Sequence, residues 1–170
     1  MKRIICIFLI AFALCIPSCG AKVSPLAYQQ GIDSAVFEID FDKSSFTVEL
    51  FPMQNRLRVI SPDRIEGIEL AIEDGEYRLI SEDAEFELPD PLISLVSPIF
   101  RAFSLPDDKA KTSTSGDDVR VVRVSCDDGD YEIRLSPGGE PSEIAFKGTR
   151  DFTMKGIELR YGEEKETIGK

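Results

Sequence analysis

Thirty-one Asp and Glu residues and not one His set the chemistry open to this 170-residue chain. Without imidazole there is no Ser-His-Asp or Cys-His nucleophile, and the common zinc ligand sets fail. No Gly-rich phosphate loop with its Lys is present. Asp127-Asp128-Gly129-Asp130 has the acids of a calcium loop but lacks the spaced ligands and terminal Glu of an EF-hand. It stands between two strand patterns and reads as a hairpin turn. Paired carboxylates can hydrolyse glycosides. Alternation, however, puts Glu38, Asp40, Asp42 and Glu49 on a solvent face, not in a cleft. No catalytic residue, metal or cofactor is therefore expected. Cys126 ends the strand-like run Val121-Val122-Arg123-Val124-Ser125-Cys126, where a small buried hydrophobe is the expected role.

The remaining reactive group is the thiol of Cys19. Lys2 and Arg3 open the chain, and Ile4 to Ile16 form an apolar run of thirteen residues. A membrane-spanning helix needs about 20, so the run is short for a span and fits a secretory signal. Ile16-Pro17-Ser18-Cys19 resembles the bacterial lipoprotein signal, in which the Cys thiol receives a diacylglyceryl group before cleavage. Pro17 and Cys15 depart from its usual pattern. Acylation at Cys19 would tether the chain to a membrane through its buried methylenes. It would also leave Cys126 without a disulfide partner. The expected location is the cell envelope, on the extracytoplasmic side of a bacterial membrane.

The net charge of −11 becomes more negative once Lys2 and Arg3 are removed. Such a body does not favour nucleic acid, whose phosphates need Lys and Arg, and is held off an anionic bilayer surface. The acidity also serves solubility. The mature length is one domain's worth, enough to bury a core without disulfides. The expected divisions are a signal peptide (1–18), a lipidated Cys and short tether (19–34), one domain (35–162) and a charged tail (163–170). A monomer is expected.

The elements follow from periodicity. Ser24-Pro25 caps a brief helix through Leu26, Tyr28 and Gln29. Phe37, Ile39 and Phe41 alternate with Glu38, Asp40 and Asp42. Phe46, Val48 and Leu50 alternate with Thr47 and Glu49. Together they predict a half-buried antiparallel hairpin. Leu57 and Val59 mark a third strand, Ile68, Leu70 and Ile72 a fourth. Asp74-Gly75 turns into Tyr77 and Leu79, and Phe86 and Leu88 mark a short sixth strand. Asp90 then reads as an N-cap with Pro91 in the first turn. Leu92, Leu95, Val96, Ile99, Phe100 and Phe103 recur at helical spacing. Pro98 inside this run predicts a kink or two short helices. Pro106 to Asp118 reads as a mobile loop. Strands resume at Val119–Cys126, Tyr131–Leu135, Ile144–Phe146 and Phe152–Tyr161. The fold class is mainly β (α+β): a strongly curved antiparallel sheet or unclosed β-barrel.

One helical stretch inside an all-strand chain must bury its wide apolar face, and the concave side of a curved sheet is where it fits. The hairpin VFEIDFDKSSFTVELF, the strand ending LRVISP and the hairpin GIELAIEDGEYRLI carry a resemblance. The helical run PDPLISLVSPIF and the return hairpin YEIRLSPGGEPSEIAF add to it. Together they resemble the LolA/LolB-like lipoprotein-carrier superfamily, which includes RseB-like and LppX-like domains. The resemblance implies an unclosed half-barrel with one or two helices in its mouth, whose cavity can take lipid or acyl chains. From alternation and the helix face, the candidate lining is Phe37, Ile39, Phe41, Phe46, Val48 and Leu50 on the sheet. On the helix it is Leu92, Leu95, Val96, Ile99, Phe100 and Phe103. The same residues would equally serve as plain core. The expected function is a tethered lipoprotein that binds an apolar ligand without catalysis. The alternative is a structural or protein-interaction lipoprotein with a filled core.

Overall fold

The computed structural model describes residues 24–82, 84–115 and 119–162. The signal peptide, Cys19 and the charged tail lie outside the described residues. After a 3₁₀ turn at Ala27–Gln29 come strands β1 (Ile32–Phe41), β2 (Ser44–Phe51), β3 (Arg56–Ser61), β4 (Glu69–Glu73), β5 (Glu76–Ser81) and β6 (Ala84–Glu87). Helix α1 (Asp90–Arg101) follows. Then come β7 (Ala110–Thr114), β8 (Arg120–Cys126), β9 (Gly129–Leu135), β10 (Pro141–Gly148) and β11 (Phe152–Tyr161).

All eleven strands form one antiparallel sheet in the order β6-β5-β4-β3-β2-β1-β11-β10-β9-β8-β7. The first and last strands pair at its centre, while β6 and β7 are unjoined edges, so the sheet is not closed. It curls tightly. Tyr77 of β5 packs edge-on against Phe100 of α1, and Tyr131 of β9 donates its hydroxyl hydrogen bond to the Pro98 carbonyl of the same helix. In a flat sheet β5 and β9, seven strand spacings apart, would be separated by roughly 34 Å. One helix about 10–12 Å across can touch both only if the sheet wraps around it.

Register sets the faces. Ile39, Met154, Ile144, Ile133 and Val122 form one row across five strands on the inner face. The adjacent row, Glu38, Lys155, Glu143 and Arg134, is outer and charged. Along β11 the apolar spacing slips by one residue between Met154 and Ile157. Gly156, with φ +58°, absorbs the slip as a bulge against β1, which keeps Ile157 and Leu159 packed against the core. On β9–β11 the rings of Tyr131, Phe146 and Phe152 pack in series, with centroids 4.8 and 5.0 Å apart.

Several expectations are corrected. Residues 110–114 are not loop: β7 pairs with β8 from Ala110 opposite Val124 to Thr114 opposite Arg120. Residues 107–109 make a 3₁₀ turn, and 116–118 lie outside the described residues. Helix α1 runs through Pro98 without a break. Pro98 stands ninth of the twelve helical residues, so it removes a single backbone bond, to Ser94. Its ring is buried and its carbonyl is held by Tyr131. Asp90 is the first helical residue and Pro89 holds the cap position, with no side-chain cap bond. Cys126 is half-buried, and burial, then Asp128, pushes its thiol pKa up.

Candidate ligand cleft

Among the described residues, the hydrogen bonds that tie helix α1 to the sheet lie at its C-terminal end. Arg101 Nη1 donates to Asp128 Oδ1 at 2.7 Å. Tyr131 Oη lies 3.2 Å from both the Pro98 carbonyl and Asp128 Oδ2. Burial, then Asp128, raises the Tyr131 pKa, so the phenol stays protonated and donating. Immediately after the helix, Ala102, Phe103 and Leu105 are buried, and Phe103 stacks on Phe37 at 5.6 Å. The Tyr28 hydroxyl and the Ala102 carbonyl tie the N-terminal 3₁₀ turn to the same place.

The middle of α1 faces the inner side of β1–β4 across an open cleft of about 250 Å³. Ile39 and Phe41 come from β1, Phe46 and Val48 from β2, Leu57 and Val59 from β3, Leu70 from β4. Leu95, Val96 and Ile99 come from the helix, and Ile65 from the 3₁₀ turn Asp63–Ile65 closes one side. Every one of these side chains is aliphatic or aromatic. Ile39, Val48 and Leu57 are buried at the floor, while Phe41, Phe46, Leu95 and Val96 are half-buried at the walls. Apolar surface is left facing water here, where a packed core would have closed over it.

Of the twelve lining candidates, the structure brings together Ile39, Phe41, Phe46, Val48, Leu95, Val96 and Ile99. Phe37, Leu50 and Phe103 are instead buried core, at 1%, 0% and 3% exposure. Leu92 is 44% exposed and lies outside the cleft. Phe100 lines a second space of about 230 Å³ on the helix's other flank, with Tyr77, Ser97 and Asn55. Four cleft residues were missed. Leu57, Val59 and Leu70 carry the same alternation as the hairpin and were readable from it. Ile65 stands in a 3₁₀ turn, where no period marks it.

The outer face carries two grooves, of about 320 and 670 Å³, along Arg123, Glu132 and their neighbours, the larger of them mainly polar. Their charges are largely satisfied internally: Arg123 pairs with Glu132 at 2.8 Å and Arg134 with Glu143 at 3.6 Å. Among the described residues no three His, Cys, Asp or Glu side chains gather as a metal site. None of the described helices is long and apolar enough to cross a membrane.

The class that fold and site define is an open antiparallel half-barrel with one helix in its mouth and an apolar cleft beneath that helix. No family model matches the chain, and no curated protein matches it. Among solved structures it is similar to an uncharacterized conserved protein from Thermus thermophilus. That likeness is at 8% identity over 84% of this chain and 87% of that one, with a TM-score of 0.43. It is also similar to a LolA superfamily protein from Nitrosomonas europaea, at 8% identity over 75% and 84%, with a TM-score of 0.37. A third is the lipoprotein LppX of Mycobacterium tuberculosis, at 9% identity over 84% and 97%, with a TM-score of 0.39.

Proposed function

We propose that this protein is a lipoprotein of the bacterial cell envelope, tethered as a monomer through acylated Cys19. In this reading it binds an apolar ligand, a lipid or acyl chain, between α1 and β1–β4 without catalysing a reaction. One observation carries the binding reading: an open cleft of about 250 Å³ walled by apolar side chains alone. Ligand sites of drug size run from about 300 Å³ upward. This one suits a single chain, not a whole two-chain lipid. The tether reading rests on Ile16-Pro17-Ser18-Cys19 and the charged, apolar segment before it.

The test is native mass spectrometry of the purified protein mixed with a total envelope lipid extract. A discrete added mass in the range of a single-chain lipid or a singly acylated peptide is expected. Val96→Phe, which grows a half-buried wall residue into the cleft, should abolish the adduct and leave the fold intact. Leu92→Ala, outside the cleft, should leave the adduct unchanged. A bare mass from folded protein would overturn the reading in favour of a filled core, and crosslinking for a protein partner would follow.

A further inference from the structure

Accepting the cleft as a ligand site, we infer that its ligand is a single-chain amphiphile with an anionic head, such as a fatty acid or alkyl phosphate. Arg150 is the residue that receives the head. The guanidinium carbon of Arg150 sits over the ring of Phe41, 5.9 Å from its centroid, and Phe41 is a wall of the cleft. The contact joins the β10–β11 turn to the end of β1, at the rim where the apolar wall meets water. A guanidinium over an aromatic face is attracted by the ring quadrupole, a contact that uses none of its N–H donors. Those donors suit bidentate reception of a carboxylate or phosphate.

The charges around it favour this role. In this strongly acidic chain Arg56, Arg58, Arg78, Arg101 and Arg123 are engaged in ion pairs, whereas Arg64 and Arg120 make none among the described residues and neither lines the cleft. Arg150 is exposed and makes no ion pair among the described residues. Two acids adjoining Arg150 and Phe41 in the chain are occupied. The Asp151 carboxylate accepts from the Gly148 N–H at 3.2 Å, and Asp40 accepts from Lys155 Nζ at 2.8 Å. Asp42, at the exposed β1–β2 tip, is screened by solvent. At roughly 30 Å³ for a water-sized unit, the cleft of about 250 Å³ holds about eight such groups. That is one alkyl chain, with its head left at the rim.

Calorimetric titration with four decyl probes separates the outcomes: decanoate, decyl phosphate, decan-1-ol and decyltrimethylammonium, well above the carboxylate's own pKa. The anions should bind about tenfold more tightly than the alcohol, the scale of a charge-assisted contact at an exposed site. Added salt should narrow that gap. Arg150→Gln should erase the anions' advantage and leave the alcohol's affinity unchanged. Asp42→Asn should keep the advantage or enlarge it. If alcohol and anions bind equally, or the ammonium binds best, the head-group inference falls and the cleft reading stands. If folded protein binds none of the four, the cleft reading falls and takes this inference with it.

Discussion

Gly129 and Gly148 stand opposite each other at the end of the β9–β10 pair, and the Phe146 ring fills the space their side chains would take. A Cβ on Gly148 would come within 2.6 Å of the Asp128 carbonyl oxygen as well as meeting that ring. The backbone there cannot retreat, because Asp128 leads directly into β9 and its carboxylate holds Arg101 of the helix. Gly148→Ala should therefore cost about 2–3 kcal/mol, the scale of overpacking at a fixed site. Gly138→Ala meets only the Ser136 hydroxyl, at 3.7 Å, and should stay within about 0.5 kcal/mol. Urea unfolding of the two variants checks this. Equal losses would mean that the Phe146 ring moves freely and that the β9–β10 end is not a rigid support for the helix anchor.

At the scale of elements, the β1–β11 pairing closes the centre of the sheet, and Lys155 to Asp40 crosses it on the outer face. The Lys155 ammonium holds the Asp40 carboxyl below the ordinary carboxylate range, and Asp40 in turn raises the Lys155 pKa. The signs agree. The pair is intact above the ordinary Asp pKa and is lost as pH falls through the depressed Asp40 value. It persists up to the ordinary Lys pKa and is lost as pH rises through the raised Lys155 value. A carbonyl-carbon NMR titration should place the Asp40 midpoint below that of a free aspartate, and Lys155→Met should move it upward. An unmoved midpoint would remove the ion pair from the account. Elements of this kind were legible in the sequence because their alternation is strict. Phe37-Ile39-Phe41 and Phe46-Val48-Leu50 read directly as a hairpin, and the cleft wall on β1 and β2 follows from them. β7 was not legible: Ala-Lys-Thr-Ser-Thr has no apolar rhythm, and its strand state comes from pairing with the buried Val121–Val124 run of β8. The division of the apolar set into core and cleft was not legible either. Phe37 and Phe41 share a face and a period, and only the position of the helix decides that one is covered by Phe103 and the other left at the rim.

Over the whole molecule, burial is unevenly distributed across the curled sheet. Ile133, Ile144 and Met154 are fully buried on β9–β11, whereas β5 and β6 carry no fully buried residue. The helix is bonded at its end to β9 and the turn before it, and its middle turns rest on an unfilled space against β1–β4. Amide exchange should therefore be slowest in β1 and β9–β11 and fastest in β5 and β6, with β3, β4 and the first turns of α1 between them. A ligand that binds only the folded state adds RT ln(1 + [L]/Kd), about 2.7 kcal/mol at a hundredfold excess over Kd. Decanoate at that excess should slow the globally exchanging amides of β9–β11 by about a hundredfold. Its local effect should be a new protection confined to β1–β4 and residues 95–99, because those are the segments that line the cleft. Protection appearing instead along β7–β9 would place the ligand in the outer groove beside Arg123 and Glu132. The apolar cleft would then be a packing defect between the helix and β1–β4.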